Sequence, residues 1–188
     1  FKRSKMTSLF KTILFISVVG VLTISCSQTD KNAGESHLMN VTGPGFETAD
    51  STMFYKDKPF NGRGLELHEA WGIIFEGEYV NGKKDGPWIS YSNGNPIHII
   101  TYKGGLESGL WQINFENGKT MVKGEFLDGL ETGRWELYYD NGQLTSYSTF
   151  EKGKRVGIRE DFKRDGSTLF KKYFEDGVEV KCEGDCSP

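Results

Sequence analysis

From Tyr79 onward the chain repeats itself, and that repeat limits the fold more than any other feature. An aromatic residue followed three places later by glycine recurs as Tyr79–Gly82, Tyr102–Gly105, Phe126–Gly129, Phe150–Gly153 and Phe174–Gly177, in steps of 23, 24, 24 and 24 residues. A second glycine follows four places on, at Gly86, Gly109, Gly133 and Gly157. Trp88, Trp111 and Trp135 come two residues later, and Arg159 holds that place in the next copy. A third glycine recurs at Gly94, Gly118, Gly142 and Gly166. A divergent first copy is expected over Tyr55–Gly62, and a truncated last copy from Lys172. A fixed period of this length marks units too small to bury an apolar face alone, which must stack on their neighbours.

Each copy reads as a β-hairpin. In Gly124-Glu125-Phe126-Leu127 the first strand precedes a glycine-bearing loop, Asp128 to Gly133, and Trp135 to Tyr139 forms the second strand before Asp140-Asn141-Gly142. Asn-Gly and Asp-Gly pairs, which tolerate positive φ cheaply, recur at Asn81-Gly82, Asn93-Gly94, Asn117-Gly118, Asp165-Gly166 and Asp176-Gly177. No stretch after residue 54 carries a capped helical stripe. The 24 glycines coexist with 13% aromatic residues and no G-X-Y period, which excludes both collagen and a disordered chain. The expected fold is all-β: an elongated, single-layer antiparallel meander of ~24-residue hairpins over 53–180, followed by a short tail at 181–188.

Side chains alternate across a strand. Trp135, Leu137 and Tyr139 should therefore share one face, as should Trp111, Ile113 and Phe115, with Phe126 joining them and Gly124 leaving room for a ring. The residues expected to line this face are Tyr79, Trp88, Tyr102, Trp111, Phe115, Phe126, Trp135, Tyr139, Phe150 and Phe174.

The first 25 residues read as an export signal. Lys2, Arg3, Lys5 and Lys11 form a basic start, and Thr12–Ile24 is an uncharged, mostly apolar run shorter than the ~20 residues a spanning helix needs. Thr23-Ile24-Ser25-Cys26 resembles a bacterial lipobox, which implies lipidation of Cys26, cleavage before it, and anchoring to an envelope membrane. Ordinary secretion with cleavage near Ser25, or a short membrane anchor, is the alternative. Polar residues from Ser27 and the breaker cluster Gly43-Pro44-Gly45 make 26–52 an expected flexible tether. Losing 1–25 removes four basic residues and no acid, so the net charge falls from −3 to −7. Such a chain has no electrostatic pull toward nucleic acid or anionic lipid, and its membrane hold must come from the lipid.

The pattern Gly-x-aromatic-x-x-Gly-x-x-x-Gly-x-Trp resembles the MORN-repeat family, in particular the bacterial variant found in YwqK-type antitoxin proteins. Phe54 to Gly62 and Glu78 to Trp88 carry the likeness best, and Arg159 and the Trp-less Gly64 depart from it. The resemblance implies an antiparallel meander, no cofactor, and use as a binding or assembly surface. It also suggests the second reading of the function, an antitoxin or immunity protein that neutralises a toxin. No nucleophile, zinc, phosphate-loop or dinucleotide motif is present, and His37, His68 and His98 fall on separate segments, so no enzymatic role, catalytic residue or metal site is expected. The expected partners are the membrane, through Cys26, and a protein or an envelope glycan. In an exported chain Cys182 and Cys186 can close a disulfide across a Gly-bearing turn; free thiols or part of a metal site are the alternatives.

Overall fold

The computed structural model describes residues 38–70 and 72–186, and every element among them is a β-strand. The signal segment, Cys26 and the tether up to residue 37 lie outside the described residues. Eleven strands follow one another as a meander: β5 (Gly62–His68), β6 (Ile73–Val80), β7 (Lys83–Ser92), β8 (Asn95–Lys103), β9 (Leu106–Asn114), β10 (Thr120–Leu127), β11 (Leu130–Tyr138), β12 (Leu144–Glu151), β13 (Lys154–Phe162), β14 (Thr168–Glu175) and β15 (Val178–Gly184). The short β1 (Met39–Asn40) adds to β5 in parallel and completes a twelve-stranded sheet. The expected meander of hairpins is thus the observed architecture.

Two kinds of turn set the period. Asn81–Gly82, Gly104–Gly105, Asp128–Gly129, Lys152–Gly153 and Asp176–Gly177 are two-residue turns with positive φ at both places, the primed geometry whose twist matches the flanking strands. Along this edge four of the five turn glycines donate their N–H to a carbonyl of the preceding hairpin, Gly105 to Lys84, Gly129 to Glu107, Gly153 to Glu131 and Gly177 to Arg155, at 2.8–3.0 Å, and Gly82 donates to Phe60. At the opposite edge Phe115–Lys119, Tyr139–Gln143 and Lys163–Ser167 form longer loops, pinned by Asn117, Asn141 and Asp165 side chains that accept from a backbone N–H two residues on. The matching place in the first full copy is the tighter Asn93–Gly94 turn, one residue shorter, which accounts for the single step of 23.

The second glycine of each copy lies within a strand. Gly133 has φ 65°, and the pairing of β10 with β11 slips between Lys123 and Glu125. The slip is a β-bulge with a residue at φ > 0, a conformation glycine takes without strain, and it re-aims the following side chain. Trp135 thereby lies over Gly124, where a Cβ would fall 2.1 Å from the indole; Gly77 would meet Trp88 at 2.4 Å. The room expected at Gly124 is real, and Gly77 repeats the device.

Three expectations change. Residues 38–52, read as part of the tether, form β1, β2 (Phe46–Ala49) and the start of β3 (Thr52–Tyr55). The breaker cluster there makes a turn, and strands of two and four residues are too short to show a period. The divergent first copy is not a hairpin of the array. β3 and β4 (Lys58–Pro59) join β2 in a separate three-stranded sheet, because the strand breaks at Phe60, which turns into the core. The 181–188 tail begins in strand, since β15 runs to Gly184. It ends in the Cys182–Cys186 disulfide, with Cα atoms 6.2 Å apart.

The core gathers at the amino-terminal end, where Val41, Phe60, Phe75, Tyr79, Trp88 and Ile100 are buried together, flanked by Phe46, Met53 and Tyr55 of the small sheet. Val41, 4% exposed, rests on Gly64 and fills the place where that copy lacks a Trp.

Candidate functional site: a line of rings and charges

Register brings one aromatic and one charged residue together in every hairpin. Tyr79 pairs with Lys84, Tyr102 with Glu107, Phe126 with Glu131, Phe150 with Arg155 and Phe174 with Glu179. Directly opposed residues share a face, so the five pairs run along the Trp-bearing face beside the row of tight turns. Across the next interface each ring lies opposite a bulge glycine: Tyr102 opposite Gly86, Phe126 opposite Gly109, Phe150 opposite Gly133 and Phe174 opposite Gly157. The rings are the same in kind in every copy, while the charges read plus, minus, minus, plus, minus. Rings and glycines are what the fold requires; the charges vary from copy to copy.

Behind them the Trp row crosses the sheet through Trp88, Ile100, Trp111, Gly124, Trp135 and Ser148, then Arg159, Lys172 and Cys182. Edge-on packing links Tyr79 to Trp88 at 5.0 Å, Phe126 to Trp135 at 5.3 Å and Trp135 to Phe150 at 6.1 Å. The expected face residues Tyr79, Trp88, Trp135 and Phe174 are buried, and Tyr102, Trp111, Phe126 and Phe150 are half-buried. Phe115 and Tyr139 are not in the row. Both lie beyond the strand ends in loops, because pairing slips near there, and Tyr139 reaches instead to the Phe162 carbonyl. Leu137 remains 45% exposed.

At its amino-terminal end the line enters a cleft of about 390 Å³ between the small sheet and the large one, lined by Val41, Thr48, Met53, Glu66, Lys84 and Tyr102 among others. Lys84 Nζ is 2.9 Å from Glu66 and stands 4.5 Å over the Trp88 ring and 5.1 Å over the Tyr102 ring. Tyr79 donates its hydroxyl to Glu66. Burial, reinforced by the Glu66 hydrogen bond, holds the Tyr79 hydroxyl far above its ordinary pKa. Burial, with Glu107 and Glu66 nearby, pushes Tyr102 up to about 12. Burial also raises Glu107, against the pull of Lys84.

Sequence reasoning missed one juxtaposition. His68 and His98, on β5 and β8, both approach the buried Phe75 ring, at 6.2 and 5.8 Å. His98 Nδ1 is 2.8 Å from Ser90 Oγ, and burial, then the neighbouring His68, lowers its pKa. Nothing in the spacing of the two histidines signals this, since the turns decide it. Among the described residues no three His, Cys, Asp or Glu side chains converge as metal ligands would.

The opposite face divides in two. In its amino-terminal part Leu65, Leu67, Ile74, Ile89 and Ile99 surround the Arg63–Glu76 ion pair, whereas Lys123, Glu136, Tyr147, Glu160, Lys171 and Glu183 stand side by side in one row across β10 to β15. Glu160, 8% exposed, accepts from Tyr147 and Thr168 and pairs with Lys171.

The fold and this periodic face define a hairpin-repeat protein. A family model described as MORN repeat variant matches residues 131–152, a stretch that begins at the charged residue of one ring–charge pair and ends just past the ring of the next. No curated protein matches the chain.

Proposed function

We propose that this chain is a non-enzymatic repeat protein that binds a partner protein through its line of rings and charges, while lipid on Cys26 holds it to a bacterial envelope membrane. The observation that carries the binding reading is the contrast along the line itself. Five structurally equivalent positions keep their rings and change their charges, which is how a regular scaffold presents an irregular, readable surface. Such surfaces bind through rigid aromatic anchors, with charge setting partner choice. The anchoring reading is supported by the lipobox-like Thr23-Ile24-Ser25-Cys26. With Cys182 joined to Cys186, Cys26 is the one cysteine of three left for another use.

Capture from native membranes with the lipid retained tests the binding reading. A Glu107→Lys, Glu131→Lys double variant loses its prey, and a Lys123→Glu variant of the opposite face keeps it; equal capture by all three chains sinks the reading. Incorporation of labelled palmitate that persists in Cys26→Ser sinks the anchor. A prey that poisons cells unless this chain is co-expressed selects the antitoxin form of the same function, and an envelope glycan as the bound species replaces the protein partner.

A further inference from the structure

Within that partner-binding reading, we propose that the slot between Phe150 and Phe174 receives a carboxylate side chain of the partner, with Arg155 as its anchor. The Arg155 guanidinium carbon lies 5.2 Å from the Phe150 ring centre and 5.1 Å from that of Phe174, so the two rings hold the group from both sides. The three other cations on the strands of this face are each matched by a carboxylate: Lys84 by Glu66 at 2.9 Å, Arg159 by both oxygens of Asp161 at 2.7 and 2.8 Å, and Lys172 by Glu179 at 3.0 Å. Arg155 is not. Among the described residues its side chain makes no hydrogen bond or ion pair, and its Nε is buried without an acceptor.

The reason lies in the register. Glu179 is the charged residue of the next hairpin, and Lys172 already engages it. Arg159 repels Arg155, and Glu131 of the preceding hairpin and Asp161, already bonded to Arg159, act on it only through space. A half-buried guanidinium that lacks an anion is costly to keep. Set beside two rings, it is also pre-organised to fork onto one with little further loss of freedom. The anion must come from outside the fold. The mature chain's net charge of −7 gives no general attraction to an anionic polymer or membrane. What fits is a single carboxylate whose methylene stem lies against the rings, as Glu or Asp of a peptide supplies.

The test titrates the exported chain with a hexaglutamate peptide, following the Arg155 Nε–H resonance, and repeats the titration with inorganic phosphate at equal charge. The peptide is expected to shift that resonance and phosphate to leave it in place. Arg155→Gln is expected to weaken peptide binding at least tenfold and Arg155→Lys at least threefold, with thermal melting recorded to show that each variant is folded. If Arg155→Gln does not fold, the Lys variant, which keeps charge and stem, decides. A wild-type resonance that does not move, an affinity unchanged in the variants, or phosphate acting as well as peptide overturns the assignment. Membrane capture that persists in Arg155→Gln overturns this assignment alone and leaves the binding face standing.

Discussion

The two ends of the large sheet share one geometry and fill it with different chemistry. From β5 to β9 the Trp face packs Trp88 between Tyr79 and Tyr102, covered by Val41 and Phe60, and the reverse face sets aliphatic side chains around a single Arg63–Glu76 pair. From β11 to β15 the row passes from Trp135 to Arg159 and Lys172, and the reverse face becomes a ladder of ion pairs centred on Glu160. The same bulge and the same two-residue turns along one edge serve both. The hairpin period is therefore a property of the glycines and turn residues, while the row between them can be held by dispersion or by paired charge. The amino-terminal half carries the burial, and burial is the term that scales with stability.

The comparison breaks first at Trp88. Its replacement by Ala costs about 3–5 kcal/mol, the range for large side chains lost from a packed core. Arg159→Ala, at the corresponding row position, costs at most about 1 kcal/mol, as part-exposed ion pairs do. Equal losses in denaturant titrations would mean that the two halves are held alike. Next, Glu160→Gln unsettles the polar ladder by about 1–3 kcal/mol, the cost of stranding buried partners, and speeds amide exchange in β12–β14 more than in β6–β8.

Acid sharpens the contrast further. Burial pushes Glu160 upward, but hydrogen bonds from Thr168, Tyr147 and Lys171 outweigh it and hold its pKa below the ordinary value. Glu136 is likewise lowered, by Tyr138, Lys123 and Arg134 against its own burial. The stability these two lend is complete at neutral pH and fades as pH falls through their depressed values. Glu107 runs the other way: raised by burial, it binds its proton more tightly when folded, so acid relieves a cost there. Exchange between about pH 6 and pH 3 should show β12–β14 losing protection relative to β8–β9; parallel loss in both segments would erase the distinction. The smallest effect is expected from reducing Cys182–Cys186. It loosens the pairing of Phe170 with Gly184 and leaves the melting of the Trp88 half unchanged by calorimetry.

Much of this was legible in the sequence. Three glycines per copy announced the period. The alternation around Trp135 placed the rings on one face. What stayed hidden depended on bulges and cross-strand neighbours. Pattern alone made Asp128 to Gly133 a loop, whereas only Asp128–Gly129 turns and Gly133 bulges within a strand. Phe115 and Tyr139 fit a strict alternation that stops at the strand end. The ring–charge pairs were invisible because Phe150 and Arg155 are five apart in sequence and meet only across a turn. The small sheet around Phe46, Met53 and Tyr55 stayed hidden, in segments too short for any period to register.

The stitching of one tight turn to the next has an architectural consequence. From Gly105 onward each turn glycine reaches back to a carbonyl one hairpin earlier and no further, so the number of strands in the sheet is set by how many units the gene encodes, not by any long-range constraint. Excising the segment from Leu106 to Gly129 would bring Leu130 after Gly105, join like to like, and shorten the array by one rung. The same operation at Tyr55 would remove the lid over the hydrophobic centre, so growth and loss belong to the middle of such a chain and not to its amino-terminal end.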